Sequence, residues 1–167
     1  MFFRLMAVVR LLIGGAFLWF GISKVMNPTL LYGGLMFELS NYGAPYAFYE
    51  RFVLARVEIR QELFVYLVAV GEILVGVSFL TGALVSWAAL GGAFMMLNFG
   101  MAISSGHPLT MVLHALFAAV FLAMGRMGAG LTWGLDGWLV NRVQDWVVPF
   151  PLRLSRPKQL SAEQRGE

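Results

Sequence analysis

Four long apolar stretches constrain this chain more than any other feature: Met6–Val25, Leu63–Leu84, Val85–Ser104 and Leu109–Met127. A helix rises about 1.5 Å per residue, so about 20 apolar residues cross a hydrocarbon core about 30 Å thick. The chain has 167 residues, of which 59% are hydrophobic and 13% charged. Soluble domains carry about 25% charged residues, so an aqueous surface would be hard to cover here. The sequence therefore predicts an all-α membrane protein, a four-transmembrane-helix bundle. Only the corner "TGAL" separates the second span from the third, which makes those two a tight helical hairpin. Arg4 precedes the first apolar run as in a secretory signal, but no small-x-small cleavage pattern follows "WFGISKVMNP", so the first segment reads as a retained span.

An even number of spans places both termini on one side. Eight basic residues flank that side (Arg4, Arg10, Arg126, Arg142, Arg153, Arg156, Lys158 and Arg165), against four in the long first loop (Lys24, Arg51, Arg56 and Arg60). The positive-inside bias then puts both termini in the cytoplasm. Basic residues beside spans point to anionic headgroups as their partner, and not to nucleic acid.

Two amphipathic stretches flank the spans and predict interfacial helices over residues 45–61 and 134–148. In the first, Phe48, Phe52, Ala55 and Ile59 recur at helical spacing after Pro45, while Arg51, Glu58 and Glu62 face elsewhere. Its aromatic content, with Tyr46 and Tyr49 added, predicts a protein contact as well as a lipid contact. In the second, Leu135, Trp138, Leu139, Trp146 and Val147 share one side, as suits the inner headgroup level. Residues 1–148 thus form one transmembrane domain, and 149–167 read as a mobile cytoplasmic tail.

The chain has no cysteine, which excludes thiol–disulfide chemistry, thiolate-ligated iron–sulfur clusters and covalent c-type haem. His107 and His114 are seven residues apart on one helix face and cannot clamp a haem from opposite sides. No metal site and no covalently bound cofactor is expected, and no phosphate-binding glycine pattern occurs. The Gly14–Gly15 and Gly91–Gly92 pairs lie inside spans, where small residues serve helix packing.

The polar residues inside the spans are few. Glu72 stands in "LFVYLVAVGEILVGVSFLTGAL", about 13 Å below the boundary near Leu63, with Ala69 and Gly76 on its face to admit another helix. Asn98 and His114 lie about 10 Å and 9 Å deep on the third and fourth spans, and Lys24 ends the first. Together they offer donors, a proton-exchanging group and, with Phe17 and Phe20, aromatic walls: the requirements of a quinone headgroup. Each also has a structural reading. Glu72 can be a neutral acid or the partner of Lys24 holding two helices together, His114 a satisfied packing residue, and Asn98 interhelical glue. At the other side Arg10 and Asp136 read as an ion pair clamping the inner helix to the bundle.

These landmarks resemble the DoxX family of small four-span membrane proteins, which includes relatives of the membrane subunit of thiosulfate:quinone oxidoreductase. The resemblance rests on "RLLIGGAFLWFGISKVMNP", "GEILVGVSFLTG", "GGAFMMLNF" and "GRMGAGLTWGLDGWL" in that order, with Arg10, Lys24, Glu72 and Asp136 at matching polar positions. The chain departs from it at "TGALVSW", where many members carry an arginine. The resemblance implies a subunit of the bacterial inner membrane that works beside a protein partner in a membrane or redox complex, with quinone as acceptor. The competing expectation is a non-catalytic subunit or assembly factor that binds only lipid and protein. A small transporter is disfavoured, because four unbroken spans leave little room for alternating access.

Overall fold

The computed structural model describes residues 2–27, 29 and 34–140. The helices in chain order are α1 (Phe2–Val25), α2 (Leu35–Tyr42), α3 (Ala47–Tyr49), α4 (Ala55–Ile59), α5 (Gln61–Thr81), α6 (Val85–Ile103), α7 (Pro108–Arg126) and α8 (Asp136–Leu139). Between α3 and α4 runs a π-helical segment, Glu50–Leu54, and Ala129–Leu131 forms one 3₁₀ turn. No strand occurs among the described residues. The protein is an all-α four-helix membrane protein, with α1, α5, α6 and α7 each long and apolar enough to span.

Local chemistry sets the span ends. α5 stops at Thr81 because Gly82 takes the left-handed conformation, φ 69°, and its N–H returns to the Ser78 carbonyl at 2.8 Å. Pro108 opens α7, where its missing N–H costs no hydrogen bond. The predicted hairpin corner is therefore three residues, Gly82 to Leu84.

Lipid gives helices no hydrophobic reason to associate, so close van der Waals packing must hold them. The antiparallel pair α1 and α5 meets this demand through small residues. A side chain on Gly76 would come within 2.6 Å of the Leu18 backbone nitrogen, and one on Gly14 within 2.9 Å of Phe79 Cβ. Gly15, by contrast, has open space around it, so only one member of that glycine pair packs. α6 and α7 form the second antiparallel pair, with Phe121 lying across Gly92. The two pairs join at a central aromatic cluster: Phe121 meets Phe17 edge-on at 5.1 Å and Phe79 at 5.2 Å between ring centroids. Large apolar side chains on all four spans, such as Leu12, Leu74, Phe94 and Leu109, face outward, as a hydrocarbon solvent allows.

The long first loop folds back over the ends of α5 and α6. The Tyr46 N–H donates to the Met101 carbonyl at 3.1 Å, and the Ser105 N–H to Ala44 at 2.8 Å. Beneath it, Tyr49, Leu54 and Val57 bury against Ala102. The side of this segment that packs inward is thus the one opposite Phe48, Phe52, Ala55 and Ile59, all of which are exposed. Apolar residues occupy both faces, and simple periodicity picks out only the outer one. The π turn adds to this, since Ala55 N–H reaches back five residues to Glu50 and shifts the register within the segment. Helix α2 was not expected from the sequence. Of the helix expected over 134–148, the described part holds the short α8, Asp136–Leu139, while residues 141–148 and the tail lie outside the described residues.

The α1–α5 contact yields a direct test. Gly76→Ala should lower thermal stability in detergent by about 1–3 kcal/mol, because the methyl meets backbone that cannot swing aside. Gly15→Ala should stay within about 0.5 kcal/mol of the parent. Equal effects would contradict this packing.

Candidate functional site

The close approach of α1 and α5 brings Lys24 to Glu72. Lys24 Nζ donates to both carboxylate oxygens of Glu72 at 2.8 Å. Among the described residues this is the salt bridge within 4.0 Å. The two partners differ in exposure: the Glu72 side chain is 4% exposed and that of Lys24 30%. Ala69, fully buried, and Gly76 flank Glu72 on the face pressed to α1, as their small size predicts. Lys24 Nζ also lies 5.8 Å from the Phe20 ring centroid, and that ring is half exposed. The site is therefore a buried acid, a half-buried ammonium and an accessible aromatic ring at the loop end of the bundle.

The other sequence candidates sit apart from it. Asn98 receives a hydrogen bond from the Tyr49 hydroxyl at 3.0 Å and donates to the Phe94 carbonyl of its own helix at 2.8 Å. It joins α6 to the folded-back loop. His114 Nδ1 contacts the Thr110 carbonyl at 2.8 Å, one turn back in α7. No hydrogen bond links either residue to Lys24 or Glu72. Phe17 belongs to the central core and is not a wall of this site, because its ring is taken up by Phe121. Tyr49, expected from the sequence on the exposed contact face, is instead buried and donates its hydroxyl to Asn98, and burial pushes its phenol above the ordinary range. Its signal in the sequence was masked by the more regular spacing of Phe48 and Phe52.

The opposite end holds Arg10 and Asp136 in one corner. Both are buried, Arg10 completely. Arg10 donates through Nη2 to the Trp133 carbonyl at 3.0 Å and through Nη1 to Ala129 at 3.4 Å. Asp136 accepts the Leu84 N–H at 2.6 Å and the Val85 N–H at 3.0 Å, capping the start of α6. That cap helps Leu84 hold its left-handed conformation, φ 56°. The two charges thus share a corner while each bonds backbone directly. Gly82 and Gly134 make room for them, since a side chain on either would overlap the Arg10 guanidinium. Burial pushes the Asp136 carboxyl above its ordinary range, while the Val85 and Leu84 amides and the Arg10 charge pull it back. A raised carboxyl favours the folded state most below the ordinary carboxylate range, and this contribution is lost as pH rises through the elevated value.

The fold and these two sites define a class: a small four-span membrane protein with an ion pair inside the bundle at one end and a buried arginine corner at the other. The family model DoxX matches residues 5–105, about three-fifths of the chain, and the protein belongs to the DoxX family. The match includes Arg10, Lys24, Glu72 and Asn98 and ends before His114 and Asp136. No curated protein and no solved structure matches the chain.

The corner predicts coupled losses. Asp136→Ala should cost about 3 kcal/mol or more in detergent, because it uncaps α6 and leaves Arg10 without a nearby countercharge. The double change Arg10→Met with Asp136→Ala should cost clearly less than the sum of the single changes. Additive losses in thermal or denaturant unfolding would show that the two residues act independently.

Proposed function

We propose that the protein is a quinone-interacting subunit of a bacterial inner-membrane oxidoreductase system, with both termini cytoplasmic and the Lys24–Glu72 pair in the outer half of the bilayer. One observation carries the reading: a bidentate ion pair whose acid is buried in the bundle while the Lys24 side chain is partly exposed and the neighbouring Phe20 ring half exposed. Intramembrane ionisable groups are functional candidates by default, because their cost in lipid must be met by a use.

The residues present fit the headgroup of a quinone. The Lys24 ammonium has three N–H donors, so it can hold Glu72 and still offer a hydrogen bond to a carbonyl oxygen. The Phe20 face can cover the ring, and Glu72 can give up or receive a proton through Lys24. A bound quinone would supply the two-electron chemistry, accepting two electrons from a protein partner and two protons to become quinol. Asn98 serves this reading indirectly, by seating the loop over the bundle end, and His114 contacts the Thr110 carbonyl of its own helix. The basic-residue count supports the orientation.

A second reading has its own observation. The two oxygens of Glu72 and the Lys24 ammonium already satisfy one another at 2.8 Å, as in a strut between α1 and α5. On that reading the protein is a non-catalytic subunit that binds lipid and protein partners.

Glu72→Gln separates the two. It preserves size and hydrogen bonding, and Lys24, already at an accessible edge, can turn outward to polar surroundings. The quinone reading predicts that this variant keeps its thermal stability in detergent but loses quinone-dependent turnover of the native complex. It also predicts that quinone extracted with the purified parent protein falls in Lys24→Met. Full turnover in Glu72→Gln, with no quinone in the extract of the parent, would leave the strut.

A further inference from the structure

The segment from Ala47 to Ile59 exposes a row of apolar residues that the proposed function does not use. Phe48 is 56% exposed, Phe52 58% and Ile59 79%, and Ala55 lies between them, also exposed. Several large apolar side chains exposed on one short segment mark a contact surface. The opposite face is fixed to the bundle by Tyr49, Leu54 and Val57, and by the Tyr49 hydroxyl on Asn98. The row therefore has a set position at the loop end and cannot turn inward to hide.

We propose that this row is seated in the bilayer at the boundary between acyl chains and headgroups, and that its occupant is zwitterionic phospholipid. Continuity identifies lipid. Directly after Ile59 and the break at Arg60, the exposed residues Leu63, Tyr66, Leu67 and Val70 carry an apolar strip down α5, whose surroundings are hydrocarbon. The row extends that strip sideways at its upper edge.

The charges identify the headgroup class. Three basic residues, Arg51, Arg56 and Arg60, and three acidic ones, Glu50, Glu58 and Glu62, are all exposed along the segment and its junction with α5. Their sum is zero, so the segment has no net attraction for an anionic surface. Interspersed charges of both signs match a headgroup that carries both phosphate and amine. Arg51 lies over the Phe52 ring, 5.8 Å from its centroid, and Arg56 bonds the Phe52 carbonyl, which holds two cations beside an inserted ring at phosphate level.

The absence of cysteine permits a clean experiment. Nitroxide labels on single-cysteine variants Phe52→Cys, Glu58→Cys and Ile59→Cys, in the full chain reconstituted in phosphatidylcholine vesicles, can be read for accessibility to oxygen and to a water-soluble nickel chelate. Labels at 52 and 59 should show an oxygen-to-nickel ratio several-fold above that at 58. The ratios should not change with salt or when phosphatidylglycerol is added. Nickel access at 52 and 59 equal to that at 58 would overturn the proposal. So would protection from both reagents, the signature of a covering protein, and so would insertion that requires the anionic lipid.

Discussion

The close packing of α1 on α5, which brings Lys24 to Glu72, is the constraint on which the loop end of this protein depends. A lone carboxylate or ammonium inside hydrocarbon is costly, by several kcal/mol even after relaxation. Pairing at 2.8 Å to both oxygens offsets that cost only if α1 and α5 lie close enough for the Lys24 side chain to reach. Gly14, Gly21 and Gly76 provide this closeness, since each stands where a side chain would meet the other helix. Packing and electrostatics are therefore one design along this helix pair.

The other end solves the same problem differently. Arg10 is buried among carbonyls and not against a carboxylate, and Asp136 is buried on amides. Backbone dipoles at a helix start and in an irregular turn stand in for countercharges, with the charge of each residue acting on the other at longer range. The turn from Ala129 to Asp136 is thereby fastened to the α5–α6 corner, where the Leu135 and Asp136 amides also donate to Thr81 and Gly82. The protein is clamped by charge at both ends, with a small aromatic core of Phe17, Phe79 and Phe121 between them.

Much of this was legible in the residues. Span number follows from apolar length, while the ends are set by local chemistry such as the left-handed Gly82, and the small neighbours Ala69 and Gly76 pointed Glu72 toward another helix. Asn98 and His114 join partners other than Glu72, because depth along a span fixes height and says nothing of direction around the bundle. The carbonyl partners of Arg10 were not legible, since backbone groups in a turn have no side-chain signature. The packed side of the 47–59 segment was also hidden: both faces are apolar, and the π turn breaks the spacing that a helical pattern relies on.

In the proposed function the buried acid exchanges protons with a quinone headgroup held at Lys24. Infrared difference spectroscopy of the protein in lipid vesicles, recorded on adding a short-chain quinol and with the glutamate carboxyls isotope-labelled, tests this most directly. The account predicts a carboxyl band that shifts on quinol addition and vanishes from the difference spectrum in Glu72→Gln. A glutamate carboxyl region unchanged by saturating quinol would contradict it.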